Sequence, residues 1–245
     1  MWTSHCGNPF FYVGDNFHKK SITFISIMKS AIIRLRFFLI PYALLFVIAL
    51  TLKIIFTREE IYFFINGLHF PAGDVIFRYA TEMGGATTAV SLVLILLFVR
   101  YRYSLLLASS YLLTSLINFP LKYMVGAPRP KLYFTDSPKT IYWVPDVEVL
   151  SNHFSFPSGH TVCAFTTAVV LTFISPRRWY GCIYFLLALM VAYSRIYLSQ
   201  HFFEDVTAGS FEAVIVVTCW VTWFNSRAFF RHPGWDGALS RKNDD

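Results

Sequence analysis

The sequence predicts an all-α, polytopic membrane protein, and three observations carry that expectation. The chain of 245 residues is 56% hydrophobic and 14% charged, against about 25% charged in a soluble domain, and its mean hydropathy is +0.51. Six apolar runs have roughly the length of membrane spans, which take about 20 residues each: about 37–56, 84–100, 103–121, 160–175, 181–199 and 206–225. The net charge of +7 is carried by basic residues clustered between these runs. That pattern is topological, and no nucleic-acid partner is expected from it.

Taken in order, residues 1–36 form a cytoplasmic N-terminal segment, partly basic through Lys19, Lys20, Lys29, Arg34 and Arg36. The first apolar run comes too late, and without a small-residue cleavage site, for a signal peptide. Met28 opens a more ordinary membrane-protein start, so residues 1–27 read either as an extension ahead of it or as a short tail. Residues 37–226 form one six-span domain. Its first span ends near Lys53, whose stem can carry the ammonium to the interface. The stretch 57–83 mixes Ile61, Phe63, Phe64 and Leu68 with polar residues and predicts a helix lying at the membrane interface. The stretch 122–159 is the longest polar connection and holds Pro128, Pro130, Pro138, Pro145 and Pro157. Connections of that length are usually either functional or disordered. Residues 227–245 form a cytoplasmic tail. Cys163, Cys182 and Cys219 lie inside apolar runs as small packing residues, with no C-x-x-C spacing.

Orientation follows from the basic residues. Placing both termini inside puts Arg100, Arg102, Arg177, Arg178, Arg227, Arg231, Arg241 and Lys242 on the cytoplasmic side with the N-terminal cluster. The opposite side then has fewer: Lys53, Arg58, Arg78, Lys122, Arg129, Lys131, Lys139 and Arg195. This bias favours N-in, C-in, with Trp143 on the outer side and Trp179 and Trp223 on the inner side as interfacial anchors.

Three polar clusters sit beside spans on the outer side. They are Lys122 with Arg129-Pro130; Pro157-Ser158-Gly159-His160; and Ser194-Arg195, His201 and Asp205. Charges near a membrane are costly, so three cations and two histidines gathered at one surface form a site for a multiply charged anion, with phosphate the natural candidate. His201, Asp205, Ala208 and Glu212 share one helical face, as do Ser115, Asn118 and Lys122. The fourth span begins at Ser158-Gly159-His160, where helix N-terminal N–H groups can meet an anion and Gly159 allows close approach. Glu212, inside the sixth span, has two open readings: a carboxylate paired within the bundle, or a lining of the substrate pocket. His153 reads as a loop histidine; His5, His18, His69 and His232 carry no signal.

These clusters resemble the three signature motifs of the phosphatidic acid phosphatase type 2 family: Lys, six residues, Arg-Pro; Pro-Ser-Gly-His; and Ser-Arg, five residues, His, three residues, Asp. All are present, complete and in order between residues 122 and 205. The resemblance implies that His201 attacks phosphorus to form a phosphohistidine and that Asp205 holds its other ring nitrogen. It implies that His160 protonates the leaving oxygen and then activates water. Lys122, Arg129, Ser158, Gly159 and Arg195 would hold the phosphoryl oxygens. The cations take the place of Mg²⁺, so neither metal nor cofactor is implied.

The partners this implies are the bilayer and a membrane lipid phosphate: undecaprenyl pyrophosphate, phosphatidylglycerol phosphate, phosphatidic acid or a lipid A phosphate. The setting it implies is a bacterial cytoplasmic membrane with the site on its periplasmic side. Two other functions fit the same residues. A phosphotransferase would pass the phosphoryl group to a lipid acceptor, and a non-catalytic transport or lipid-binding protein would keep only the anion site.

Overall fold

A computed structural model of the chain describes residues 9–240. Residues 1–8 and 241–245, including His5, Cys6, Arg241 and Lys242, lie outside the described residues, and of residues 9–24 only the helical backbone is described. Every regular element among the described residues is helical. They are α1 (Pro9–Ile55), α2 (Arg58–Asn66), α3 (Pro71–Ala80) running into a 3₁₀ turn (Thr81–Gly84), α4 (Ala86–Val99), α5 (Tyr101–Val125), α6 (Pro130–Tyr133), α7 (Gly159–Ile174), α8 (Tyr180–Tyr197) and α9 (Phe203–Ser226). Two 3₁₀ turns, Phe229–Arg231 and Pro233–Asp236, close the described chain. There Tyr101 N–H donates to Gly237 O and Leu239 N–H to Leu97 O, tying the segment to the α4–α5 turn.

Each of the six apolar runs coincides with a helix: α1, α4, α5, α7, α8 and α9. Four stretches are long and apolar enough to cross a membrane by themselves, in α1 (from Ile25), Tyr101–Tyr133, α8 and α9. The α3 turn and α4 meet that test only together, bent by 54°. With 16 residues, α7 is about 24 Å long, short of the ~30 Å hydrocarbon core. The protein is a multi-pass membrane protein. The first helix is longer than the sequence suggests, running unbroken from Pro9 through residue 36 with Pro41 inside it.

The stretch 57–83 is not one interfacial helix. Thr57 caps α2 through a reciprocal pair with Glu60, Gly67 ends it, and Pro71 starts α3 at the position where a missing N–H costs least. The single amphipathic stripe therefore becomes two short helices lying over the ends of α8 and α9. Lys53 does more than reach the interface, because its Nζ lies 3.5 Å from Glu204 at the start of α9. Arg58 of α2 binds the same carboxylate.

The short helix α7 is the hub, packed against α1, α5, α8 and α9 through buried Val162, Phe165, Val169 and Val170. Lipid gives little hydrophobic drive for helices to associate, so close approach through small residues matters. A Cβ on Gly209 of α9 would stand 2.9 Å from the Ser158 carbonyl, and one on Gly84 would stand 2.6 Å from the His160 carbonyl. These two glycines bring α9 and the α3–α4 corner against the first turn of α7.

Candidate active site

Two backbone reversals assemble the site. At the end of α5, Gly126 adopts φ +57 and donates to Lys122 O. This left-handed conformation suits a residue without Cβ, and it turns the chain back immediately after Lys122. The returning strand is tied to the segment before α7, with Arg129 N–H donating to Asn152 O at 2.9 Å and Ser155 N–H to Ala127 O at 3.0 Å. At the end of α8, Ser199 takes φ +54, an uncommon conformation for a non-glycine. Gln200 and His201 then both donate their N–H groups to Arg195 O. That knot sets His201 against Arg195. It is held from the interfacial side by Tyr62, whose hydroxyl lies 2.9 Å from Ser199 Oγ, and by the ring cluster of Tyr62, Phe134 and Phe202.

His201 is 1% exposed, as is Asp205. Its Nδ1 lies 3.5 Å from Asp205 Oδ2 and 3.5 Å from Ser155 Oγ. Ser155 gives its single proton to Asp205 Oδ2 at 2.6 Å, and Phe202 N–H donates to the same oxygen at 2.8 Å. Both neighbours of Nδ1 therefore accept, so Nδ1 carries the ring proton and Nε2 keeps its lone pair. Arg129 Nη1 lies 3.3 Å from that Nε2. Burial first, then Arg195, Arg129, Lys122 and His160, hold the His201 ring well below the ordinary histidine range, which keeps it neutral.

The cations are fixed by groups that leave part of each free. Arg129 donates through Nε to Asn152 Oδ1 at 3.0 Å and through Nη1 to Gln200 O at 2.8 Å. Arg195 donates from Nη1 to Thr81 Oγ1 at 2.7 Å, and its buried Nε has no partner among the described residues. Lys122 Nζ reaches the carbonyls of Phe154, at 3.1 Å, and Pro157. Ser158 donates its N–H to Asp205 O, while its buried hydroxyl accepts from Thr161 at 3.0 Å. Gly159 and His160 form the first turn of α7, where N–H groups have no acceptor within the helix.

The structure thus gathers Lys122, Arg129, Ser158, Gly159, His160, Arg195, His201 and Asp205 at one end of the bundle. His153 is exposed and is not among the groups around His201. Sequence reasoning missed Ser155, Asn152, Gln200 and Thr81, which orient the charged groups. It also missed His69, whose ring nitrogens lie 2.6 and 3.0 Å from the carbonyls of Asn66 and Tyr197. Among the described residues no three His, Cys, Asp or Glu side chains group as a metal ion would require.

A crevice of about 560 Å³ between α4, α5 and α7 leads to Lys122, Gly159 and His160. Its walls include Ala89, Val93 and Ala108, and its rim includes Val90, Leu94 and Phe119, all three exposed on the apolar belt.

Residues 103–229 match the model of the PAP2 superfamily, more than half of the chain, and the protein belongs to that family. It is 31% identical over 117 residues to an undecaprenyl-diphosphatase of Sulfolobus acidocaldarius, a match covering 47% of this chain and 53% of that protein. The chain thus spans about half the length of that relative. It is 25% identical over 158 residues to a lipid A 4'-phosphatase of Bacteroides thetaiotaomicron, covering 62% of this chain and 69% of that protein. The crystal structure of Aquifex aeolicus LpxE superposes with a TM-score of 0.59 at 28% identity, over 66% of this chain and 93% of that one. A transmembrane PAP2-type phosphatidylglycerolphosphate phosphatase from Bacillus subtilis shares the fold, with a TM-score of 0.57 at 24% identity over 77% and 96% of the two chains.

Proposed function

We propose that the protein is a membrane lipid phosphate phosphatase working through a phosphohistidine on His201. The observation that carries this reading is a neutral, buried histidine with its Nδ1 proton held toward Asp205 and Ser155 and its Nε2 lone pair facing Arg129. A crevice whose rim opens among exposed apolar side chains reaches Lys122, Gly159 and His160. The relatives' names support the substrate class, since they act on a lipid diphosphate and a lipid A phosphate.

In the first step His201 Nε2 attacks phosphorus. The phosphorus–oxygen bond to the lipid breaks, and His160, protonated against the bound phosphoryl anion, gives that proton to the leaving oxygen and is left neutral. In the second step His160 takes a proton from water, the hydroxide oxygen bonds to phosphorus, the nitrogen–phosphorus bond breaks, and inorganic phosphate leaves. Lys122, Arg129, Arg195 and the N–H groups at the start of α7 hold the equatorial oxygens, where charge stabilisation carries most of phosphoryl-transfer catalysis. Arg129 occupies the approach to Nε2 in the free protein, so an incoming phosphoryl group takes over its hydrogen bond and releases the nucleophile. The Ser158 hydroxyl is engaged by Thr161 and contributes after rotating. The cations supply the charge compensation, so activity is independent of added metal. The basic-residue bias supports a site on the non-cytoplasmic side.

The test is phosphate release by purified protein in detergent from a panel of lipid phosphates, with EDTA present, for wild type and His201→Ala. Release by wild type alone supports the reading. Full release by the variant contradicts it. Phosphate recovered on a second lipid instead of free in solution marks a transferase.

A further inference from the structure

Asn118 and Glu212 form a polar pair that the chemistry above leaves unused. On α5, Asn118 lies one turn, about 6 Å, inward from Lys122 on the same face, and it lines the crevice with Lys122 and His160. Its Nδ2 donates to Glu212 Oε2 at 3.1 Å. With Nδ2 given to the carboxyl oxygen, the amide's Oδ1 turns the other way. Oδ1 faces the mouth of the site: a Cβ on Gly159 would stand 3.9 Å from it and 4.0 Å from Lys122 Cε. Among the described residues no donor reaches Oδ1. Glu212 is 9% exposed, and its buried Oε1 also has no partner among them. An amide oxygen held without a donor in the crevice wall costs free energy until a donor meets it.

We propose that Asn118, held by Glu212, recognises a hydrogen-bond donor on the lipid itself: an N–H or O–H on the carbon next to the phosphorylated one. With phosphate on Lys122 and Gly159, that substituent falls about one helical turn inward, at Asn118 Oδ1. A diacylglycerol phosphate offers ester carbonyls there, which only accept, and a polyprenyl phosphate offers hydrocarbon. N-acylated or hydroxylated lipid phosphates are therefore the preferred substrates. This rests on the phosphatase reading and narrows it.

The experiment uses the full chain in detergent and two synthetic lipid phosphates that differ only in carrying an N-acyl or an O-acyl group beside the phosphorylated carbon. Wild type is expected to show about five-fold higher kcat/KM for the N-acyl lipid, the size of one neutral hydrogen bond. Asn118→Leu is expected to narrow that preference toward one by losing more on the N-acyl lipid. Equal kcat/KM for the two lipids on wild type overturns the proposal, whether or not the variant folds. So does a variant that loses equally on both, because Asn118 would then serve the phosphoryl group or the helix packing. Turnover of neither lipid by protein that releases phosphate from another lipid phosphate overturns the proposal alone, whereas release from no lipid phosphate at all overturns the phosphatase reading beneath it.

Discussion

Ser155→Ala removes one hydroxyl that is fully buried and touches neither the crevice nor any cation. Its proton goes to Asp205 Oδ2 at 2.6 Å, a shorter contact than the 3.5 Å from that oxygen to His201 Nδ1. In the free protein Ser155 and Phe202 N–H therefore hold the carboxylate, and His201 is aligned through it. A hydrogen bond to a charged acceptor contributes about 1.5–3 kcal/mol. If about half of that positions His201 in the transition state, kcat falls by roughly four- to twelve-fold. KM should stay within about two-fold, since no substrate contact is lost. The carboxylate, short of one donor, turns to the Nδ1–H and stabilises the imidazolium, so the acid limb of the kcat/KM profile moves to higher pH. The assay is steady-state phosphate release across pH, with Ser155→Cys as the small, weakly donating intermediate. An unchanged kcat, or a loss confined to KM, would refute this placement of Ser155.

Two further predictions test packing and charge. Gly209→Ala puts a Cβ 2.9 Å from the Ser158 carbonyl. It should lower stability in a thermal melt by about 1–3 kcal/mol and lower kcat with it, because the same contact sets the Ser158 N–H to Asp205 O bond. His201 lies below its ordinary range through burial and then the neighbouring cations, so the unfolded chain binds the proton that the folded one refuses. Its contribution to stability is intact above the unfolded value of about 6.5 and is lost as pH falls below it, by up to ~1.4 kcal/mol per pH unit. Between about pH 7 and about pH 5 the melting temperature of wild type should therefore fall further than that of His201→Asn; equal falls would contradict the neutral histidine.

What the sequence revealed and what it hid follow from the range of the interactions. Lys122, Asn118 and Ser115 were legible as one face because helical neighbours three and four apart share a side, and the crevice is lined along that stripe. The order of apolar runs was legible for a similar reason: each span is a local property of about 20 residues. Ser155 was not legible. It is one serine in a proline-rich loop, and only the pairing of residues 127–129 with 152–155 brings it to Asp205, 50 positions along the chain. Tyr62 holds Ser199 across 137 positions, and His69 meets Tyr197 across 128; no periodicity announces contacts of that kind. The interfacial stretch was legible as amphipathic, but its break at Gly67 and Pro71 went unread because the stripe continues through both helices. From the sequence alone Glu212 fits either a buried pair or a pocket lining. Its pairing with Asn118 makes it the former, and Asn118 supplies the lining.

The proposed mechanism turns on covalent attachment of phosphate to His201. The most direct measurement is to mix the protein with a lipid phosphate radiolabelled in the phosphoryl group, quench within one turnover in base, where phosphohistidine survives, and map the label by mass spectrometry. One phosphoryl group is expected on Nε2 of His201, persisting longer in His160→Ala and absent in His201→Ala. Lipid turnover with no labelled protein in any of the three, or label on another residue, would contradict it.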